Sequence, residues 1–150
     1  THVDGQAQGL LGAARRQALL ARIASATGAH ILLACHHPPL SIDSPWLDQQ
    51  RIPDGRELLE SVAADDRVRG LVFGHVHQEV TTRFAGLAVL GTPSTCFQFE
   101  PGSQRFAIDR SPRSGVPGYR WLELHADGAL ASDVRRADGY AMNIDLPHRS

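Results

Sequence analysis

A chain of 150 residues with 42% hydrophobic and 21% charged content has the size and balance of one globular domain, able to bury roughly 70% of its unfolded surface. Its formal net charge of −1 argues against a nucleic-acid polymer or an anionic membrane as partner, because the Arg15–Arg16 and Arg135–Arg136 pairs are too short to form a polybasic tract. No apolar run reaches the roughly 18–20 residues of a bilayer-spanning helix and no targeting segment is visible, so a cytoplasmic protein is expected.

Residues 1–9 read as a loop, expected to be poorly ordered. Leu10 to Thr27 is rich in Ala, Leu and Arg, with Leu19, Leu20 and Ile23 at helical spacing, and Gly28 is the stop. His30–Cys35 is a short, continuously apolar run, the pattern of a strand buried on both faces. His36-His37-Pro38-Pro39 ends it, since proline has no N–H to donate to a ladder. A loop over 40–53 holds Trp46. Asp54 opens a second helix, with Glu57 three residues on in a capping-box-like arrangement, and that helix ends near Asp65. Val68–Phe73 is a second apolar strand, so 30–73 reads as a βαβ unit with two parallel strands.

After Gly74 the pattern becomes antiparallel. Glu79–Phe84 and Leu87–Leu90 form a hairpin around Ala85-Gly86, and further strands are expected at Gln104–Ile108, Tyr119–Leu124 and Ala129–Arg135. Residues 110–118 are a loop, His125–Gly128 a turn, and 138–150 a poorly ordered tail. The fold class is α/β, a βαβ unit followed by mostly antiparallel strands. Cys35 and Cys96 lie in apolar stretches without C-x-x-C spacing and read as two buried, reduced thiols.

The chemistry gathers at the ends of the two parallel strands, the edge where open α/β sheets bind ligands. The first strand delivers His36 and His37, the second Gly74-His75-Val76-His77. Residues two apart in an extended segment point the same way, so His75 and His77 are expected to face one cluster, with Gly74 letting the chain turn before them. Lone histidines such as His2, His30, His125 and His148 read as ordinary polar residues. His36, His75 and His77 together read as metal ligands. His37 either contacts a phosphate, orients a neighbour or packs the loop. Trp46 either stacks on a purine or anchors its loop.

His36-His37-Pro38-Pro39 with Gly74-His75-Val76-His77 resembles the last two signature motifs of the calcineurin-like metallophosphoesterases. Trp46-Leu47-Asp48 and Thr92-Pro93-Ser94-Thr95-Cys96 resemble a narrower group, the bacterial class III cyclic nucleotide phosphodiesterases. The resemblance covers most of residues 9–136. It implies a four-layer αββα sandwich and two divalent ions, iron, manganese or zinc. It assigns His36 and His75 to one ion and His77 to the other and offers Thr95 and Gln98 to a nucleotide; beside these ligands His37 is the candidate catalytic residue and Trp46 a candidate nucleotide contact. It further implies that a hydroxide between the ions opens 3′,5′-cyclic AMP to 5′-AMP. The family's Asp-x-His, bridging Asp and Asn-His motifs have no counterpart here. The chain is therefore expected to be the C-terminal portion of one domain in a protein of roughly 250–280 residues, inactive alone.

Two other readings stay open. One is a phosphoesterase for glycerophosphodiesters or phosphomonoesters, since loops set the substrate. The other is a non-catalytic interaction module on the same fold. The expected partner is a cyclic nucleotide or other small phosphodiester. A homodimer is expected if half of a sandwich leaves apolar faces and a strand edge open.

Overall fold

The computed structural model describes residues 1–137 and 139–140. The expected tail thus lies outside the described residues apart from Gly139 and Tyr140. In chain order the elements are α1 (Gly12–Ser25), β1 (Ile31–Cys35), α2 (Pro45–Asp48), α3 (Gly55–Ala63), β2 (Val68–Phe73), β3 (Val80–Phe84), β4 (Leu87–Gly91), β5 (Gly118–Leu124) and β6 (Leu130–Arg136).

β1 and β2 pair in parallel, with Cys35 opposite Phe73, as their continuous apolar runs imply. β3 and β4 form the expected hairpin. Ala85 and Gly86 both have positive φ, 47° and 86°, the signature of a type I′ turn. β4 then does something the hairpin reading left unsaid. It pairs in parallel with β2, Gly70 opposite Ala88, so the sheet order is β1-β2-β4-β3. The side chains explain this. Every residue of β4 is buried, whereas β3 exposes Thr81, Thr82 and Arg83 and takes the edge.

α3 lays Leu58, Leu59 and Val62 against Leu71 and Phe73 of β2 and Val89 of β4, with Leu47, Ile52 and Ile23 completing the core. Each such side chain stabilises by about 1.5–3 kcal/mol when fully buried. β5 and β6 form a separate antiparallel sheet. Arg120 fastens it, donating to the Gly91 carbonyl at 2.8 Å and the Val80 carbonyl at 3.0 Å. The architecture is α/β, a mixed four-stranded sheet and a second, two-stranded one. Among the described residues no helix is long and apolar enough to cross a membrane.

Four local expectations need correction. Asp54 does not cap its own helix. Its Oδ2 accepts from the Gly12 N–H at 3.0 Å and from Arg16 at 3.1 Å, because α1 begins at Leu11 without a side-chain cap and its orphan N–H groups take the carboxylate instead. Gln104–Ile108 is not a strand. Only a Phe99–Ile108 bridge forms, since Pro101 has no N–H and Pro101-Gly102 turns the chain. The loop 40–53 contains a helical turn, α2, with Pro45 in its first turn. Both cysteines are free, but Cys96 is exposed; burial pushes the Cys35 thiol up to about 12.

Candidate metal centre

Parallel pairing brings β1 and β2 to an end at the same level. The Gly74 N–H donates to the His36 carbonyl at 3.1 Å, one step past the Cys35–Phe73 pair. His75 follows in a tight turn in which the Val76 N–H reaches back to the Gly74 carbonyl. His75 and His77 both have left-handed backbone, φ 57° and 49°, while Val76 between them is fully buried. The extended segment expected at Gly74–His77 is therefore absent. Positive φ falls on the histidines and not on Gly74. Such strain at non-glycine residues costs on the order of 1–3 kcal/mol each and gathers at functional sites.

The turn sends the two imidazoles to different neighbours. His75 joins His36 and His37, and each of the three offers a ring nitrogen within 4.8 Å of the others'. His36 Nε2 lies 3.2 Å from His75 Nδ1, and His75 Nε2 lies 2.9 Å from the Gln50 side-chain oxygen. His77 is not in that group. Its Nδ1 is 2.9 Å from the Phe97 carbonyl, and its ring stacks on Phe99 at 4.6 Å. A carbonyl only accepts, so Nδ1 of His77 carries the proton and Nε2 keeps a lone pair for a metal.

His37 is 3% exposed, and its Nδ1 is 2.8 Å from the Thr1 hydroxyl. Its ring lies under Gly9, where an added Cβ would come within 2.5 Å of the His37 ring, so the opening loop has no room for a side chain there. Burial and then the neighbouring imidazoles push His75 down to about 4. Burial is also the main cause lowering His77 and His37, with the Phe97 carbonyl opposing it at His77. Neutral rings keep their lone pairs at pH 7, the form in which imidazole ligates.

The remaining candidates are placed as follows. Trp46 packs edge-to-face on Phe99 and Phe106, with ring centres 5.1 and 5.8 Å away. Asp48 of the same motif closes its loop, accepting from the Ser41 hydroxyl at 2.6 Å and the Ile42 N–H at 2.8 Å, and Leu47 is core. Thr95 is exposed in the turn after Ser94. Gln98 is buried and spends its amide on the backbone of Ser94 and Val116, so it braces that loop. Sequence reasoning missed Gln50 and Phe99. A cavity of about 520 Å³ opens beside His77, lined among others by Phe99, Glu79, Asp109 and Arg136. Nothing in the spacing of Gln50 marked it, because its contact with His75 is made by the fold.

The donor set fits a metal ion. Two imidazole nitrogens, each about 2.0–2.1 Å from one tetrahedral ion, stand about 3.3 Å apart. His36 Nε2 and His75 Nδ1 stand 3.2 Å apart. Among the described residues no carboxylate joins the three imidazoles.

No protein-family profile matches the chain. It is 36% identical over 143 residues to a 3′,5′-cyclic adenosine monophosphate phosphodiesterase of Pseudomonas aeruginosa, covering 95% of this chain and 51% of the relative. It is 39% identical over 136 residues to the enzyme of that name from Escherichia coli K12, covering 91% and 48%. A 3′,5′-cyclic-nucleotide phosphodiesterase of a Nostoc species is 38% identical over 114 residues, covering 76% and 41%. The chain is thus a partial-length homologue of bacterial cyclic nucleotide phosphodiesterases. That likeness is consistent with the calcineurin-like, class III family that its histidine motifs resemble. The chain spans about half the length of the curated relatives it matches.

Proposed function

We propose that the whole protein hydrolyses 3′,5′-cyclic AMP to 5′-AMP at a centre of two divalent ions, to which this chain contributes only part. His36 Nε2 and His75 Nδ1 hold one ion and His77 Nε2 the other. The carboxylate and amide ligands come from outside these 150 residues, as do the strands that complete a four-layer αββα domain. When bound, the ions supply an activated water and neutralise charge building on the phosphoryl oxygens.

The chain's own residues do the rest. His37 adjoins the ligand pair, its ring centre 4.6 Å from that of His75, and is the candidate catalytic residue. The nucleotide lies toward the cavity beside His77, against Phe99, which Trp46 supports from behind. Thr95, in the exposed bend after Ser94, is a further candidate to meet the nucleotide. The observation that carries the reading is the 3.2 Å separation of His36 Nε2 from His75 Nδ1.

The test is manganese titration of the full-length protein with cyclic AMP and bis-p-nitrophenyl phosphate as substrates, beside His75→Ala. Metal-dependent hydrolysis of cyclic AMP, lost by at least about 100-fold in the variant, is expected from removal of a ligand. Hydrolysis of the synthetic diester alone would move the assignment to another phosphodiester. A full-length protein that binds no manganese would leave the interaction-module reading standing.

A further inference from the structure

We infer that Gln50 is a positioning residue: its side-chain carbonyl holds His75 in the tautomer whose Nδ1 lone pair faces His36. The tautomer half of this inference stands on hydrogen-bond chemistry alone. The ligand half rests on the metal reading above.

The groups around the Gln50 amide fix its orientation. The Gln50 amide nitrogen lies 3.4 Å from the Trp46 carbonyl, which only accepts. That contact assigns the NH2 group to the Trp46 side and turns the amide oxygen toward the imidazole. The amide oxygen also only accepts, and it lies 2.9 Å from His75 Nε2. His75 Nε2 therefore bears the proton and Nδ1 the lone pair. Nδ1 is the nitrogen 3.2 Å from His36 Nε2. In the neutral ring one hydrogen bond thus decides which nitrogen is offered to an ion.

Gln50 is itself held from three sides. Its N–H donates to the Leu47 carbonyl at 2.8 Å, and its carbonyl accepts from the Gly9 N–H at 3.2 Å. With the Trp46 contact, these bonds fix Gln50 to the end of α2 and to the opening loop that covers His37. The Trp46-Leu47-Asp48 segment therefore has a second consequence beyond packing Phe99. It sets the position from which Gln50 reaches His75. His77 is served in parallel by the Phe97 carbonyl, with the opposite nitrogen left free. A pair of imidazoles only two residues apart is presented through Nδ1 in one case and Nε2 in the other.

The experiment uses the full-length protein with 15N-labelled histidine, and manganese alone as the binding probe. In the metal-free wild type the His75 ring should show a pyridine-type Nδ1 and a pyrrole-type Nε2, assigned by loss of those signals in His75→Asn. Gln50→Leu, similar in volume but without an acceptor, should lose that pattern and weaken manganese binding about 10–100-fold. Gln50→Glu keeps the acceptor and should retain the pattern, with affinity within a few-fold of wild type. Thermal melts of all variants separate local effects from unfolding. An unchanged His75 pattern in Gln50→Leu, or unchanged manganese affinity, overturns the inference. A wild type that binds no manganese overturns the metal reading and the ligand half with it, while the nitrogen shifts still decide the tautomer half.

Discussion

Ala85 carries φ +47° in the exposed turn between β3 and β4, where an L side chain pays for its Cβ. The left-handed region costs roughly 1–2 kcal/mol for an ordinary residue, and type I′ turns favour Asn-Gly. Ala85→Asn should therefore stabilise the protein by about 1 kcal/mol with metal binding unchanged, read from urea melts and manganese titration. A melt midpoint equal to or below wild type would count against the turn assignment. The same backbone region is occupied by His75 and His77 at the candidate metal centre. There the bonds to Gln50 and Phe97 hold the rings in place. Strain at Ala85 serves no such partner, and that difference makes it the better target.

At the scale of elements, the ends of α1 are both finished by distant side chains. Asp54 meets its N-terminal Gly12 N–H, and Arg67 donates to the Ala26 and Ile23 carbonyls at 2.7 and 2.8 Å. Asp65 orients Arg67 through a pair of side-chain contacts at 2.7 and 3.0 Å. Those hydrogen bonds hold the Asp65 carboxyl down to about 2. A depressed folded-state value means that the contribution is fully present above the unfolded aspartate value of about 3.9 and is lost as pH falls toward 2. Denaturant melts stepped between pH 5 and 2 should show the wild type losing stability through that window. Arg67→Ala should lose less there, because its Asp65 keeps only the backbone N–H of residue 67 as donor and is held down less. Parallel pH profiles for the two proteins would sink this account of the helix end.

For the molecule as a whole, what stays open matters as much as what is buried. Among the described residues β1 has one neighbour in the sheet, and the outer face of β5 exposes Tyr119 and Trp121 at 50% and 52%. A strand edge and adjacent aromatics are the usual ingredients of self-association. Residues 1–150 produced alone should dimerise or aggregate at tens of micromolar by light scattering, and a clean monomer would show that these surfaces are tolerated. Adding a charge to the exposed aromatic face, as in Trp121→Lys, should reduce that association without altering the histidine cluster, which lies on other elements.

Much of this was readable from residue order. Two continuous apolar runs, each ending in histidine, specified parallel strands that terminate together, because burial on both faces demands that pattern. The apolar β4 and the polar β3 likewise carried the sheet order in their composition. Local spacing misled at Gly74–His77, where a buried Val76 pulls the chain inward and throws the two imidazoles onto different partners. It misled again at Asp54, whose carboxylate answers a helix end 42 positions away and not its own. The sequence by itself determined which histidines stand at the ends of the parallel strands, since residue type and strand pattern suffice for that. Only the tertiary structure decided which neighbour each ring meets, Gln50 for His75 and the Phe97 carbonyl for His77. Hydrogen bonds between segments distant in the chain set the tautomer, and no pattern along one segment encodes them.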